Sequence, residues 1–344
     1  MGNATILATG GAGFIGSNFI RHALAGHPKI KIVCVDALTY AGSRENLKGL
    51  DADRFVFVKG DITDSAHMAR VFRKHEPQYI INFAAESHVD RSIHLGAHTF
   101  MHTNVLGTTI LLDTVRKAGY PIKKFLQVST DEVYGSLDLK SKKKFTETSP
   151  LAPNSPYAAS KAAADLAVRS FYVTHRLPLV ITRCSNNYGP YQYPEKLIPY
   201  STMLLSEGKP MKIYGDGLYV RDWIHVEDHC RGLVAALESG RSGQVYNFGA
   251  ASERCNIDIV KSVLKLLGKS ESLIQYVRDR PGHDRRYAID AMKARRELGW
   301  EPRHRFDEAL GVTVQWYREH RGWWERIRTG EYLHYYEKQY GGRT

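Results

Sequence analysis

The sequence predicts an α/β protein, a doubly wound parallel sheet with a smaller mixed α/β C-terminal lobe. Three observations predict it. Apolar, β-branched runs alternate with helix-like stretches through the first half of the 344 residues. A glycine-rich turn follows the first of those runs directly. Past residue 186 the pattern breaks into shorter, mixed pieces, introduced by the turn-rich Asn186-Asn187-Tyr188-Gly189-Pro190-Tyr191.

Strands are expected at 5–8, 31–35, 54–58, 79–83, 125–128 and 179–182, with helices such as 65–75 and 103–118 between them. Nearly continuous apolar strands belong to a sheet covered on both faces. Its crossovers are right-handed and its ligands lie at the carboxyl ends of the strands. Further on, the pattern gives a helix at 226–239, a strand at 244–248, a helix at 257–267 and an amphipathic helix at 306–320. We read 1–185 as one domain and 186–344 as a second lobe, with 226–250 as a segment that can return to the first.

Composition removes several classes. No apolar run reaches 18 residues, so no membrane span is expected. The first residues enter a strand pattern without a basic leader, so no signal peptide is expected. Cys34, Cys184, Cys230 and Cys255 have long, irregular spacings. That argues against a disulfide framework or a metal site, and for reduced thiols in the cytoplasm. The net charge of +12 can mean a nucleic acid, an acidic lipid, a polyanionic small substrate or only a solvated surface, and alone decides nothing. The run Lys140-Ser141-Lys142-Lys143-Lys144 reads as a solvated loop, and no nucleic-acid motif is present. Trp323-Trp324, with Tyr332, Tyr335 and Tyr336, reads as terminal-helix packing.

Thr9-Gly10-Gly11-Ala12-Gly13-Phe14-Ile15-Gly16 joins the first strand to a helix. Glycine at 10, 13 and 16 allows a tight turn, close approach of the backbone to a pyrophosphate, and helix–strand packing. The free N–H groups of the helix start then face the phosphates. This is the context of a Rossmann-type dinucleotide site. Asp36, at the end of the second strand, suits a ribose and repels a 2′-phosphate, which favours NAD over NADP; the plainer alternative is a capping role. Asp61-Ile62, after the third strand, suits an adenine or a helix N-cap. Phe83-Ala84-Ala85-Glu86-Ser87 ends the fourth strand with small residues that admit a ribose.

Tyr157 and Lys161 stand four apart on a helical pattern and share one face. A nearby ammonium and a positive nicotinamide would bring the phenol toward neutrality, giving a base for a sugar hydroxyl. Val128-Ser129-Thr130-Asp131-Glu132-Val133-Tyr134-Gly135 ends the fifth strand. Thr130 can donate to the substrate. Asp131 and Glu132 offer two adjacent carboxyls, and loss of water needs one as acid and one as base.

With these segments in view, the chain is similar to the extended branch of the short-chain dehydrogenase/reductase superfamily. Within it, the chain resembles the sugar-nucleotide dehydratase family, specifically its dTDP-glucose 4,6-dehydratases. The resemblance runs almost end to end. It rests on Ala84-Ala85-Glu86-Ser87-His88-Val89-Asp90-Arg91-Ser92, Thr130-Asp131-Glu132, and Cys184-Ser185-Asn186-Asn187-Tyr188-Gly189-Pro190. It continues in Pro194-Glu195-Lys196-Leu197-Ile198-Pro199, Arg221-Asp222-Trp223 and Arg280-Pro281-Gly282-His283-Asp284-Arg285-Arg286-Tyr287.

The resemblance implies a tightly bound NAD, regenerated each turnover, in contact with Phe14, Ile15, Asp36, Ala37, Leu38, Thr39, Asp61, Ile62, Ser87, Thr103 and Asn187. It implies a sugar nucleotide among Ser87, Thr130, Asn186, Glu195, Lys196, Leu197, Lys212, Ile213, Tyr214, Arg221, Asn256, Asp279, Arg280, Pro281, Gly282, His283 and Tyr287. The implied reaction oxidises C4 with Tyr157 and Lys161. Glu132 as base and Asp131 as acid then remove water across C5–C6, and hydride returns to C6. A homodimer through the helices near 103–118 and 157–175 is implied too. A dehydratase acting on UDP-glucose is the nearest alternative. A UDP-sugar 4-epimerase would not need the acid pair, a decarboxylase typically lacks the full triplet, and a non-catalytic NAD-binding module would need none of the four reactive residues.

Overall fold

The computed structural model describes residues 1–94 and 96–328; of the aromatic residues assigned to terminal packing, Tyr332, Tyr335 and Tyr336 lie outside that range. Strands β1 (Thr5–Thr9), β2 (Lys31–Asp36), β3 (Phe55–Lys59), β4 (Tyr79–Asn82), β5 (Lys124–Thr130) and β6 (Leu179–Cys184) form a parallel sheet. The chain then leaves it. It builds β7 (Asn186–Tyr188), β8 (Met211–Tyr214) and β9 (Val220–His225) before returning with β10 (Val245–Phe248). The seven-stranded order is β10-β6-β5-β4-β1-β2-β3. β11 (Glu253–Cys255) pairs antiparallel with β9, which pairs parallel with β7, and β12 (Ile274–Val277) pairs parallel with β8.

Side chains alternate across the large sheet with period two. Ile6, Ala8, Ile32, Cys34, Ile81, Leu126 and Val180 face one layer, formed by the helices Phe14–Gly26 and Val226–Ser239. Leu7, Val33, Val35, Ile80, Phe125, Leu179 and Ile181 face the other, formed by the helices Ser65–His75, Thr108–Arg116 and Pro156–His175. A separate core packs Tyr188, Trp223 and Ile213 against the helices Leu197–Ser206, Asn256–Leu267 and Phe306–Glu319, and includes Trp323 and Trp324.

Two local features depart from the pattern-based reading. The helix expected over 103–118 begins as a π-helix, Met101–Gly107, before the α-helix Thr108–Arg116. The wider turn presents Asn104, whose side chain bonds the Glu86 backbone N–H and carbonyl and the Ser160 hydroxyl. The cap of Ser65–His75 is Asp64, which accepts from the His67 N–H at 2.8 Å; Asp61 instead closes a turn onto Thr63.

Asp228, fully buried, ties the two cores together. Its carboxylate accepts from Arg231 at 2.8 Å and from the backbone N–H groups of Arg303 and His304 at 3.0 and 2.9 Å. Burial opposes ionisation here, yet the bonds from His304 and Arg303 hold the carboxyl down at about 2. A depressed acid stabilises the fold above its unfolded value and loses that contribution as pH falls toward the folded one. Asp228→Asn is expected to lower stability at neutral pH by about 3 kcal/mol. In urea unfolding, the gap from the parent should close between about pH 4 and pH 2.

Candidate active site

A cleft at the carboxyl ends of β1, β2, β4, β5 and β6 brings the reactive residues together. At its floor Gly10 turns with φ +68°, and a Cβ there would lie 2.5 Å from the Ala84 nitrogen. A Cβ on Gly16 would lie 2.6 Å from the Gly10 carbonyl oxygen. Gly13 is the N-cap of the helix Phe14–Gly26 and offers no side-chain bond to its N–H groups. A cradle that excludes even a methyl, beneath uncapped helix N–H groups, fits a pyrophosphate.

Asp36 is bound on both oxygens, by the Ala12 N–H at 2.9 Å and the Leu38 N–H at 2.8 Å. Burial raises its carboxyl, and those two N–H groups pull it back. It therefore braces the glycine loop while standing on the cleft wall. Gly13, Phe14, Ile15, Ala37, Thr39, Asp61, Ile62, Phe83, Ala84, Ala85, Ser87, Thr103 and Asn187 share that wall; Leu38 does not, and takes a left-handed φ of 56°. Asn187 is fixed by His229 Nδ1 at 2.9 Å and by the Ser185 carbonyl.

Thr130 ends β5 and caps the short turn Asp131–Tyr134, accepting from the Glu132 N–H at 3.3 Å. Asp131 is 2% exposed, and its Oδ2 has no hydrogen-bond partner. Burial, then Glu132 and Asp222, push its carboxyl well above the ordinary range. Burial also raises Glu132, but Arg280, Arg221 and Lys196 oppose it. The pair is thus split: Asp131 keeps its proton more firmly, and Glu132 has three cations favouring its carboxylate.

Ser155 caps the helix Pro156–His175, which sets Tyr157 and Lys161 on its buried face. Lys161 Nζ donates to the Val128 carbonyl at 2.6 Å. The expected fall of the Tyr157 phenol toward neutrality is not met by the protein alone. Burial pushes it well above its ordinary value, with Glu132 and Cys184 adding to that, against a hydrogen bond with Thr130. Desolvation of the buried phenol outweighs the charges around it.

The residues assigned to a sugar nucleotide divide. Ser87, Thr130, Asn186, Glu195 and Lys196 line the cleft, and Lys196 Nζ donates to the Ser87 carbonyl at 3.3 Å. Burial pushes Glu195 up to about 7, against Lys196 and Arg91. Leu197 and Ile213 belong instead to the second core. Lys212 and Tyr214 on β8, Arg221 on β9, Asn256, the turn Asp279, Arg280, Pro281, Gly282, His283, and Tyr287 lie beyond the cleft wall proper. Part of that arc is nonetheless built. Arg221 lies over the Tyr287 ring at 4.2 Å, Arg280 pairs with Asp90 at 2.5 Å, and His283 stacks on Tyr219 and bonds Asp279 at 2.7 Å.

Several wall residues escaped the sequence reading. Tyr40 and Tyr193 pack edge to face at 5.4 Å, and Arg91 lies 4.0 Å over the Tyr40 ring. Glu86, Ser129, Ser185 and Gln192 also line the cleft. Glu86, Ser129 and Ser185 sit inside runs already singled out; Tyr40, Tyr193 and Gln192 carry no pattern of their own. Away from the cleft, His225, Glu227 and His304 bring one ligand atom each within 4.8 Å of the others. His304 there is held by Asp228 at 3.1 Å and Glu227 at 3.5 Å.

Comparison with known proteins adds independent evidence. A family profile described as GDP-mannose 4,6 dehydratase matches residues 7–313. The chain is 50% identical over 346 residues to a dTDP-glucose 4,6-dehydratase of Xanthomonas campestris pv. campestris, covering 96% of this chain and 97% of that one. It superposes on the dTDP-glucose 4,6-dehydratase of Streptomyces venezuelae, solved with NAD and a dTDP ligand, with TM-score 0.90 and 50% identity over 94% of this chain and 99% of that one. It superposes on that of Bacillus anthracis, solved in complex with NAD, with TM-score 0.87 and 48% identity over the same shares.

Proposed function

This chain belongs to the dTDP-glucose 4,6-dehydratases, within the GDP-mannose 4,6 dehydratase family, and from that premise we propose which of its residues carry each step. The protein dehydrates dTDP-glucose to a dTDP-linked 4-keto-6-deoxyglucose with NAD as cofactor. A bound NAD would supply the redox chemistry, holding the C4 hydride until it is delivered to C6, with a proton restored to C5, so the reaction is redox-neutral overall.

The glycine loop and the start of the Phe14–Gly26 helix hold the pyrophosphate. Asp36, which braces that loop, faces the adenosine ribose. Tyr157 takes the proton of the 4-hydroxyl, supported by the Lys161 ammonium. The 4-ketone acidifies the C5 proton, which Glu132 removes while Asp131 protonates the departing 6-hydroxyl. Arg221 and Arg280 serve the diphosphate and favour the Glu132 carboxylate. The observation that carries this assignment is the unequal setting of two adjacent carboxyls in one turn, Asp131 buried and Glu132 half-buried among cations. A 4-epimerase performs no elimination and has no use for such a pair. The test is turnover of dTDP-glucose deuterated at C4, with the product read by NMR. Deuterium should arrive at C6; its appearance in solvent would remove the internal return.

The protein acts as a cytoplasmic homodimer. Leu166 and Val173 on the Tyr157 helix, and Met101 and Leu106 on the adjoining one, expose apolar side chains on neighbouring elements. Leu166→Glu is expected to give a monomer in light scattering, with activity reduced because the same helix carries Tyr157; a variant that remains dimeric would move the interface elsewhere. Residues 1–185 with 226–250 form the cofactor domain, and the remainder forms the sugar-nucleotide lobe.

A further inference from the structure

We infer that Asp165 is a positioning residue for the catalytic ammonium. From one helical turn behind Lys161 it supplies the buried negative charge that keeps Lys161 protonated beside Tyr157, and Arg183 holds it there. The inference rests on the role proposed above for Lys161.

Tyr157, Lys161 and Asp165 follow one another at intervals of four on the helix Pro156–His175, so they form one stripe on its inner face. They are 8%, 4% and 1% exposed. Lys161 gives a hydrogen bond to a neutral acceptor, the Val128 carbonyl. A neutral carbonyl does not offset the cost of burying an ammonium. Asp165 is the carboxylate next along the stripe.

The bonding of Asp165 fits a carboxylate shared between two cations. Its Oδ2 accepts from Arg183 Nε at 2.9 Å. Its Oδ1 is buried and takes no bond from Arg183; the Ser129 hydroxyl beside the carboxyl favours its ionised form. An aspartate serving only to neutralise an arginine gains most from a two-pronged contact; here Arg183 engages one oxygen alone. Arg183 is itself fixed from the far side, 4.8 Å over the Tyr134 ring, whose hydroxyl donates to Asn247 at 2.8 Å.

The groups facing this stripe come from three other elements. Arg183 and Cys184 face it from β6, Ser129 and Thr130 from β5, and Asp131, Glu132 and Tyr134 from the turn after β5, the two carboxyls at the Tyr157 end. Burial pulls the Lys161 ammonium down, and the Asp165 carboxylate is the strongest charge holding it up; burial keeps the neighbouring Cys184 a neutral thiol, pushed up to about 12. Burial raises Asp165 in turn, and Arg183 and then Lys161 lower it. Two cations and one anion leave a single positive charge beneath the site. Ionisation of Tyr157 is what that charge can compensate.

The experiment compares pH profiles of kcat and KM for the NAD-loaded protein, Asp165→Asn, Asp165→Glu, Lys161→Met and the Asp165→Asn/Lys161→Met double variant. Asp165→Asn should lower kcat about tenfold or more, change KM less than about twofold, and move the alkaline limb about one pH unit lower, because Lys161 then loses its proton earlier. Asp165→Glu should recover most of the loss. In the Lys161→Met background the same change should cost less than about threefold, since its target is gone. An equal loss in both backgrounds, or an unmoved alkaline limb, makes Asp165 structural and overturns the inference. Normal turnover by Lys161→Met would instead overturn the role assigned to Lys161. Should Asp165→Asn fail to fold with Arg183 left unpaired, Asp165→Asn/Arg183→Met removes both charges; a shifted limb there supports the inference and an unshifted one overturns it.

Discussion

A Glu132→Gln enzyme should oxidise dTDP-glucose at C4 and go no further. The glutamine keeps the size of the side chain but cannot take the C5 proton. We expect kcat to fall about 10²- to 10⁴-fold, the range for loss of a positioned base. Reduced-nicotinamide absorbance should build up toward one equivalent per site, and exchange of the C5 proton with solvent should stop. The complementary Asp131→Asn should retain that exchange while slowing release of water. The physical basis is the division within the turn. Arg280, Arg221 and Lys196 favour a carboxylate at Glu132, whereas Asp131 sits between burial and two like charges. Normal turnover by Glu132→Gln would move the base to another group.

Gly10→Ala should cost the protein its cofactor. Two penalties meet at that residue: a φ of +68°, and a Cβ 2.5 Å from the Ala84 nitrogen. The first alone is worth about 1 kcal/mol or more. The second forces β1 and the segment after β4 apart at the proposed pyrophosphate cradle. Gly49→Ala separates the two, because Gly49 has φ +78° and open space around it. Gly49→Ala should lose a little stability and keep its NAD. Gly10→Ala should purify without bound NAD and melt lower. Full NAD content in Gly10→Ala would show that the loop is not the cradle.

The parts of this molecule that could be read from sequence are those where one local rule acts alone. The helices Ser65–His75 and Val226–Ser239 fall on the residues their periodicity marks. The six sheet strands of the first half are each marked by a short apolar, β-branched run between helical stretches, even where a polar residue such as Asn82 or Gln127 sits within the strand. The π-helix Met101–Gly107 could not be read, because its extra residue per turn exists to place Asn104 between Glu86 and Ser160, a tertiary demand. Nor could the buried polar ladder from Thr9 through Asn82 to Gln127 and Thr108, which crosses three strands of the sheet. The strands β7, β8, β11 and β12 are three or four residues long, too short for a period to show.

The site follows the same division. Gly10, Asp131, Glu132, Tyr157 and Lys161 sit in short motifs whose spacing carries the chemistry. Tyr40, Tyr193 and Arg91 come from three separate segments and meet only after folding. The Tyr157 phenol shows the limit most clearly: charge spacing can be read from residues, but desolvation cannot be read before the burial is known.

The late return of β10 sets a hazard during synthesis. β6 is buried along its whole length in the finished protein, yet its outer edge has no partner until about sixty further residues have been made. At about 5–20 residues per second, the nascent sheet carries an open apolar edge for several seconds. Such an edge is a template for pairing with another chain. Yield of soluble protein should therefore depend on how fast the ribosome crosses residues 185–244. Slow codons placed in that stretch are a liability, whereas a pause after Phe248 gives the sheet time to close.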